Sequence, residues 1–472
     1  MPKLYIFGIG GTGSRVLRSL TMLLASGVRL SNGISDIVPV IIDPDRQNGD
    51  LTRTVSLLNN YMAIQDQLSF TDKNHSAFFR TRIIPTLQNF ILPIRDTDDR
   101  KFRSFLDLPS MSKENQAMMR MLFSEKNLES SMNVGFKGNP NVGSVVLNQV
   151  ADSDEFAELA NTFQEGDRIF VISSIFGGTG AAGFPLLVKT LRTNNSIPNF
   201  NLINNAEIGA VTVLPYFKVK QDEDSEIDSS SFISKAKSAL AYYEKNIINN
   251  NDVDALYTLG DEQKCTYENH EGMAAQINDA HLIEFLAATA IFDFTSKAIN
   301  HSIGNTQNME FGINQAGGAL TLDSFYNKTK NNICKPMTQL LLMANTFTHS
   351  SDYITSSNLN ANQKLGLNED FYRSTFASSI EEFLYAYQQW LGEMKRNNRS
   401  LDIFNLDCGD KPFEVLTGKK PKHKISFKSD YALLYSFLND ASTKVTSSSK
   451  EDRLLELYYL ATLKILNDKL NF

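Results

Sequence analysis

Short, continuously apolar runs alternate along this chain with longer stretches in which apolar residues recur every three or four positions. Residues 4–8, 37–42, 169–174, 208–215 and 254–259 are runs of the first kind and predict strands. Residues 13–26, with Val16, Leu17, Leu20, Leu23 and Leu24, have the second pattern, and stretches 181–193 and 232–247 also read as helices. Strands that alternate with helices in this way predict a parallel sheet with helices on both faces. Residues 51–133 are mixed and mostly helical, broken by Pro85, Pro93 and Pro109, and read as an elaboration on that core. Residues 274–294 predict a long buried central helix, because Ile277, Leu282, Phe285, Leu286, Ala288, Ile291 and Phe292 lie nearly all round it. Beyond 297 the texture changes. Gly- and Asn-rich turns, short strands at Leu340–Ala344 and Leu401–Phe404, a helix over 368–396 and a closing helix over 454–470 predict a second α+β domain. The expected division is 1–270, then the central helix at 271–297, then 298–472.

Two glycine loops interrupt this pattern at the ends of strands. Gly8-Ile9-Gly10-Gly11-Thr12-Gly13-Ser14 follows the first strand, and Gly177-Gly178-Thr179-Gly180-Ala181-Ala182-Gly183 follows the run at 169–174. Each reads strand, glycine turn, helix, a geometry that aims backbone N–H groups and a helix N-terminus at an anion such as phosphate. A pair of such loops suggests two strand ends clamping one polyphosphate. Asp43, in Asp43-Pro44-Asp45, closes the second strand, where an acid can meet ribose or a metal, or simply form an Asp-Pro turn. Gly135 to Gly143, with Gly138 and Asn139, has the turn chemistry of a third loop able to approach a ligand closely. The acidic, serine-rich stretch 221–231 reads as a solvated loop.

Composition narrows the classes. The 472 residues are 42% hydrophobic and 21% charged, with a formal net charge of −7, which fits a folded protein and disfavours non-specific nucleic-acid binding. No apolar run approaches the roughly 20 residues of a membrane span, and the first strand leaves no room for a signal peptide. Cys265, Cys334 and Cys408 are far apart and the six histidines form no ligand-spaced cluster, so no metal site of protein ligands is expected and a reducing cytoplasm is.

The stretch Phe176-Gly177-Gly178-Thr179-Gly180-Ala181-Ala182-Gly183-Phe184-Pro185 resembles the signature loop of the tubulin/FtsZ superfamily, and Gly8 to Ser14 resembles that family's first glycine loop. Gly209 to Phe217 is similar to its strand ending in Pro-Phe, and Asp254 to Asp261 to the strand that follows. The order and spacing cover residues 4–330, and divergent prokaryotic tubulin-like proteins share the opening glycine pattern. The resemblance implies an α/β fold with a Rossmann-like GTPase sheet, and GTP or GDP with Mg²⁺ across its carboxyl edge. Gly10, Gly11, Thr12 and Gly13 would contact the α/β-phosphates, and Gly177, Gly178, Thr179 and Gly180 the β/γ-phosphates. Asp261 and Asn278 would face the guanine edge. It further implies a head-to-tail homopolymer, with room for an unidentified adaptor or effector protein, no direct nucleic-acid contact and no membrane span.

Two departures bear on chemistry. Arg15 stands where the family places an Asn that touches the base. In the loop after the core helix, Leu320-Thr321-Leu322-Asp323-Ser324-Phe325-Tyr326 keeps one acid, Asp323, as the candidate catalytic residue completing the next subunit's site, while Tyr326 replaces the last acid. Hydrolysis with Asp323 alone, or a non-hydrolysing GTP-bound scaffold, both remain open. The first loop with Asp43, Asp45 and Arg53 also resembles ThiF-type adenylyltransferases, which use ATP. That family's CxxC zinc pairs are missing here, and it leaves the loop at 177–183 unexplained.

Overall fold

The computed structural model describes residues 2–70, 76–136, 138–220, 232–263, 265–268, 272–297, 305–311, 318–356, 358–422 and 429–470. The loop read at 221–231, Lys137 of the third glycine loop, and four of the six histidines, His75, His270, His301 and His423, lie outside them. Nine strands are described: β1 (Lys3–Ile9), β2 (Asp36–Ile42), β3 (Arg82–Ile83), β4 (Arg168–Ser174), β5 (Ile208–Val213), β6 (Phe217–Val219), β7 (Ala255–Leu259), β8 (Cys265–Tyr267) and β9 (Gln307–Phe311). Seven form one sheet in the order β3-β2-β1-β4-β5-β7-β9, with every pairing parallel. β6 and β8 form a separate parallel ribbon. Every residue of β2, β4 and β5 is buried, so both faces of the sheet are covered, which is why these strands read as unbroken apolar runs. The expected α/β fold with a parallel Rossmann-like sheet is therefore present.

The strand order reverses at β1. The chain runs outward through β2 and β3, then returns to lay β4 on the other side of β1. In open α/β sheets such a switch point opens a crevice at the strands' carboxyl ends. Helix α1 (Gly10–Ala25) leaves β1 there, and α4 (Gly178–Thr193) leaves β4. Between them in sequence come α2 (Gly49–Gln65), packed on α1, and α3 (Pro140–Leu147), packed on α4. The later helices used below are α5 (Phe232–Tyr243), α6 (Leu282–Ser296), α7 (Lys335–Ile354), α8 (Thr375–Arg396), α9 (Asp430–Ser442) and α10 (Lys450–Ile465).

The sequence expectations fail where local pattern is ambiguous. Leu340–Ala344 is not a strand but the buried middle of α7, since five apolar residues fit either element. Leu401 and Phe404 make only isolated bridges, to Leu320 and Leu416. The central helix is buried but begins at Leu282 rather than 274: the His281 side chain accepts from Ile283 N–H and Glu284 reaches back to the His281 backbone, so helix entry is fixed there. Ile277, expected in that helix's core, is 57% exposed. The helix over 368–396 is split at Ser374, which caps α8. β9 is a strand that the Asn-rich sequence around it concealed.

The carboxy-terminal helices are tied to the sheet by charge as well as packing. Glu393 of α8 is buried, and takes Arg18 of α1 in a two-point contact (2.8 and 3.2 Å), Arg53 of α2, and the Ala280 N–H (2.9 Å). Removing the acid alone takes the carboxylate from buried Arg18 and leaves Arg53 with Asp50 at 3.7 Å. Glu393→Gln is expected to cost about 3–5 kcal/mol of unfolding free energy in urea titration; a loss below about 1 kcal/mol would show that the cluster is solvated in solution.

Candidate nucleotide cleft at the switch point

Helices α1 and α4 begin without side-chain caps. Their N-cap residues, Ile9 and Gly177, offer no capping bond, and neither first turn carries an acid. Many other helices are capped, with Asn48, Ser112, Ser124, Asn139, Ser153, Ser374, Ser429 and Ser449 each accepting backbone N–H groups with their side chains, while a few, α7 among them, are not. The two bare N-termini therefore leave oriented donors and positive helix ends over the same crevice.

The loops touch each other. Gly10 has φ +69°, the left-handed region where glycine is favoured, and a Cβ there would lie 3.3 Å from Thr179 Cβ. At Gly178 a Cβ would meet Phe136 Cβ at 2.9 Å and the Gly138 and Asn139 amide nitrogens at 3.1 and 3.2 Å, so this glycine lets the third loop close on the second. At Gly13 a Cβ would collide with the Gly8 backbone, which makes Gly13 the point where α1 packs on β1. Gly11 differs: its nearest neighbour is Arg15 Nη1, 3.4 Å from an added Cβ, so its open side faces the cleft.

The cleft gathers Gly10, Gly11, Thr12, Asp43, Gly138, Gly177, Gly178, Thr179, Gly180 and Asn278 from the residues singled out by sequence. Four others are placed differently. Gly13 is a packing residue. The side chain of Asn139 is spent capping α3, on Asn141 and Val142 N–H. Asp261 is paired with the buried Arg399 at 3.0 Å and does not line the cleft. Asp323 lies on an exposed turn, with Lys419 Nζ at 2.6 Å and Lys330 Nζ at 3.5 Å, and the Lys419 contact holds its carboxyl below the ordinary range.

Sequence reasoning missed much of the wall. Phe136, Phe176, Phe217, Phe232 and Tyr267 line it, and the β6–β8 ribbon supplies two of them. Asn48 and Gln276 add amides, and Asp45 a second acid. Gln276 was hidden because its stretch read as helix.

Beneath the cleft lies Arg15. It is 5% exposed and bonds Glu284 (2.5 Å), Asp50 (3.0 Å) and the Tyr216 hydroxyl (3.0 Å), which itself donates to Glu284 (2.7 Å). Burial works against its charge, but Tyr216, Glu284 and Asp50 outweigh burial and keep it protonated. Among the described residues Asp43 has no such partner. Burial, reinforced by nearby Asp45, raises its carboxyl to about 7, against which the Asp45 N–H bond and the charge of Arg15 only partly act. Asp45 is also raised, chiefly by burial. Asp45 also accepts the Met273 N–H (2.6 Å) and the Gln47 N–H (3.2 Å), and buried carboxyls at this edge suit a hard cation that arrives with phosphate oxygens. Among the described residues no group of three or more His, Cys, Asp or Glu side chains could hold a metal unaided.

No protein-family model and no curated protein matches the chain. Among solved structures it is similar to a point mutant of FtsZ from M. jannaschii, at 16% identity over 55% of this chain and 46% of that one, with a TM-score of 0.28. It is also similar to the GTPγS-bound CetZ2 protofilament of Haloferax volcanii, at 13% over 63% and 58%, TM-score 0.30, and to that organism's GDP-bound CetZ1 monomer, at 14% over 64% and 65%, TM-score 0.30. The matched part spans from about half to just under two thirds of each of these structures.

The raised carboxyl of Asp43 carries a sign. The ligand-free folded state binds a proton that the unfolded chain releases near the ordinary value, so this group's stabilising contribution is present at acid pH and is lost as pH climbs to about 7. Asp43→Asn removes that loss. The ligand-free variant is expected to match wild type in melting temperature near pH 4.5 and to exceed it increasingly up to pH 8, at about 1.4 kcal/mol per unit of displacement. A difference that stays flat with pH would show that Asp43 ionises normally.

Proposed function

We propose that this chain is a tubulin/FtsZ-like GTP-binding protein of the cytoplasm that assembles head to tail into filaments and completes slow GTP hydrolysis between subunits. The observation that carries the nucleotide part is the pair of uncapped helix N-termini, one on each side of the switch point, opening onto one cleft. Backbone donors of both loops would hold the phosphates, Thr12 and Thr179 would add hydroxyls, and Asp43 with Asp45 would supply carboxylates to Mg²⁺, which would neutralise phosphate charge. The aromatic wall would shelter the base. A head-to-tail contact is heterologous, so it propagates as an open filament. Among the described residues no helix is long and apolar enough to cross a membrane.

Gly11 gives the cleanest test of nucleotide binding, because a side chain there enters the cleft without meeting backbone. Gly11→Val is expected to lower affinity for a fluorescent GTP analogue by at least roughly 100-fold, the scale of two or more lost hydrogen bonds, with the melting temperature of the ligand-free protein little changed. Equal affinity in variant and wild type would place the nucleotide elsewhere. Filaments should appear by pelleting and negative-stain microscopy with GTP and Mg²⁺, and a chain that stays monomeric at high concentration would contradict assembly.

One observation favours the non-hydrolysing reading: the carboxylate of Asp323 is engaged by Lys419 and Lys330. If Asp323 orients water for a neighbouring subunit, Asp323→Ala should slow phosphate release by roughly 10²-fold or more with GTP binding intact. Lys419→Ala, which frees the acid, should speed it. Absence of turnover in wild type and in Lys419→Ala alike would make the protein a GTP-bound scaffold.

A further inference from the structure

Helices α3 and α4 pack closely, since a Cβ added at Gly143 would lie 2.8 Å from Ala182 Cβ. Helix α5 stands off from α4 instead. The facing positions are small or apolar, with Ala181, Pro185 and Leu186 on α4 and Ser234, Ser238 and Ala239 on α5. A groove of about 660 Å³ is left between the three helices, inside the roughly 300–1,000 Å³ of small-ligand sites. It lies behind the second glycine loop. Among the described residues it shares only Phe176 and Gly177 with the nucleotide cleft.

One end of the groove has a definite chemistry. Helices α4 and α5 each connect two parallel strands, so both run from the carboxyl edge of the sheet to its amino edge. Lys189 of α4 and Tyr243 of α5 therefore fall at the same end. Lys189 is exposed, and among the described residues no carboxylate lies within ion-pair distance of it, although Asp252 feels its charge from further off. Tyr243 is 1% exposed, and its hydroxyl has no hydrogen-bond partner. Burial raises that phenol far above its ordinary range, so it stays a donor. At the other end Lys235 donates to the Gly138 carbonyl at 2.9 Å. The described lining holds these two lysines and no acid.

We propose that this groove binds a small carboxylate with an apolar body, its carboxylate met by Lys189 and the Tyr243 hydroxyl and its apolar part laid along Pro185, Leu186 and Ala239 toward Phe176. A buried hydroxyl without a partner is costly, and a ligand acceptor removes that cost. An apolar molecule without an acceptor would leave both Lys189 and Tyr243 unmet. A cation would face two ammonium groups and no acid. The site is separate from the nucleotide reading and does not depend on it.

Titration calorimetry of the full chain with decanoate, decanol and decyltrimethylammonium tests the assignment. Decanoate should show a single saturable site, with decanol weaker by roughly tenfold or more and the cation weaker still. Lys189→Ala should weaken decanoate by roughly two- to fivefold and leave decanol unmoved. Tyr243→Phe should weaken decanoate by roughly fivefold or more without lowering the melting temperature, because the hydroxyl has no internal partner to lose. Ala239→Phe fills the groove and should abolish binding of both; if it does not fold, Lys189→Ala, a change at an exposed position, decides. Saturating GTP should leave decanoate binding in place. Decanol binding as tightly as decanoate, decanoate indifferent to both Lys189→Ala and Tyr243→Phe, or displacement of decanoate by GTP overturns the inference. So does absence of decanoate binding, and if Ala239→Phe then alters self-association in sedimentation, the groove belongs to a second copy of the chain. Failure of GTP to bind overturns the nucleotide reading, while decanoate binding that responds to Lys189→Ala and Tyr243→Phe supports this one regardless.

Discussion

A guanidinium cannot shed its proton at any ordinary pH, so burying Arg15 dictates much of the surrounding structure. Its charge has to be met inside the protein, and Asp50 from α2 and Glu284 from α6 meet it. Those acids sit on elements more than 200 residues apart in sequence, which the ion pairs hold to one spot. Arg18 and Arg53 repeat the constraint one turn further along α1 and α2, and Glu393 of α8 answers them. Three cations and three carboxylates close a neutral cluster, the condition under which buried charge is tolerable. The cluster contributes geometry more than net stability. It fixes the floor of the cleft, the approach of α6 and the strip from Gln276 to Asn278 against α2 in a single set of bonds.

Sequence made the sheet and both glycine loops readable for a physical reason. Strands buried on two faces are apolar without interruption, and glycines placed directly after them have few other uses. The same reasoning fails at Leu340–Ala344, where a buried helix leaves the same short apolar signature as a buried strand. It fails from 274 to 281, where helical spacing of Ile277 and Leu282 is coincidental and the true start is set by the reciprocal bonds of His281 and Glu284. Of the cleft, the residues visible in sequence are those whose backbone matters. The side chains that shape its wall, such as Phe217, Tyr267 and Gln276, come from a three-residue ribbon and an irregular strip, and nothing in one-dimensional spacing marks them. The pairing of Asp261 with Arg399 shows the converse, an acid at a strand end that looks available in sequence but is consumed by a partner 138 positions away.

The second glycine loop and the carboxy-terminal helices meet different demands. The loops need backbone to come close, so they spend glycine and bare helix ends. The helices need surface to be covered: Trp390, Tyr387, Phe383 and Ile380 are buried along one side of α8, whose hydroxyl-bearing Tyr387 still finds the Met337 carbonyl at 3.0 Å. Asp323 and Tyr326 belong to neither set. They lie on the surface between α6 and α7, with Tyr326 88% exposed.

The bare N-termini of α1 and α4 are the most economical clue to what the cleft is for. Leaving helix N–H groups without a side-chain acceptor forfeits roughly 0.5–2 kcal/mol per cap. Among the described residues there are serine or asparagine caps at nine other helix starts, so capping is within the chain's means. Some others, α7 among them, also start uncapped, but the two that flank the switch point open onto one cleft, and their loops abut through Gly10 and Thr179. A serine at either N-cap would satisfy the donors internally and fill the space from which they act. Glycine and isoleucine leave both the donors and the space. Opposite them burial raises the carboxyls of Asp43, to about 7, and of Asp45, so the cleft has unspent donors on one side and buried acids on the other. In the reading proposed above, a polyphosphate would take the N–H groups and a divalent cation would meet the carboxylates, so one ligand would answer both sides of the cleft.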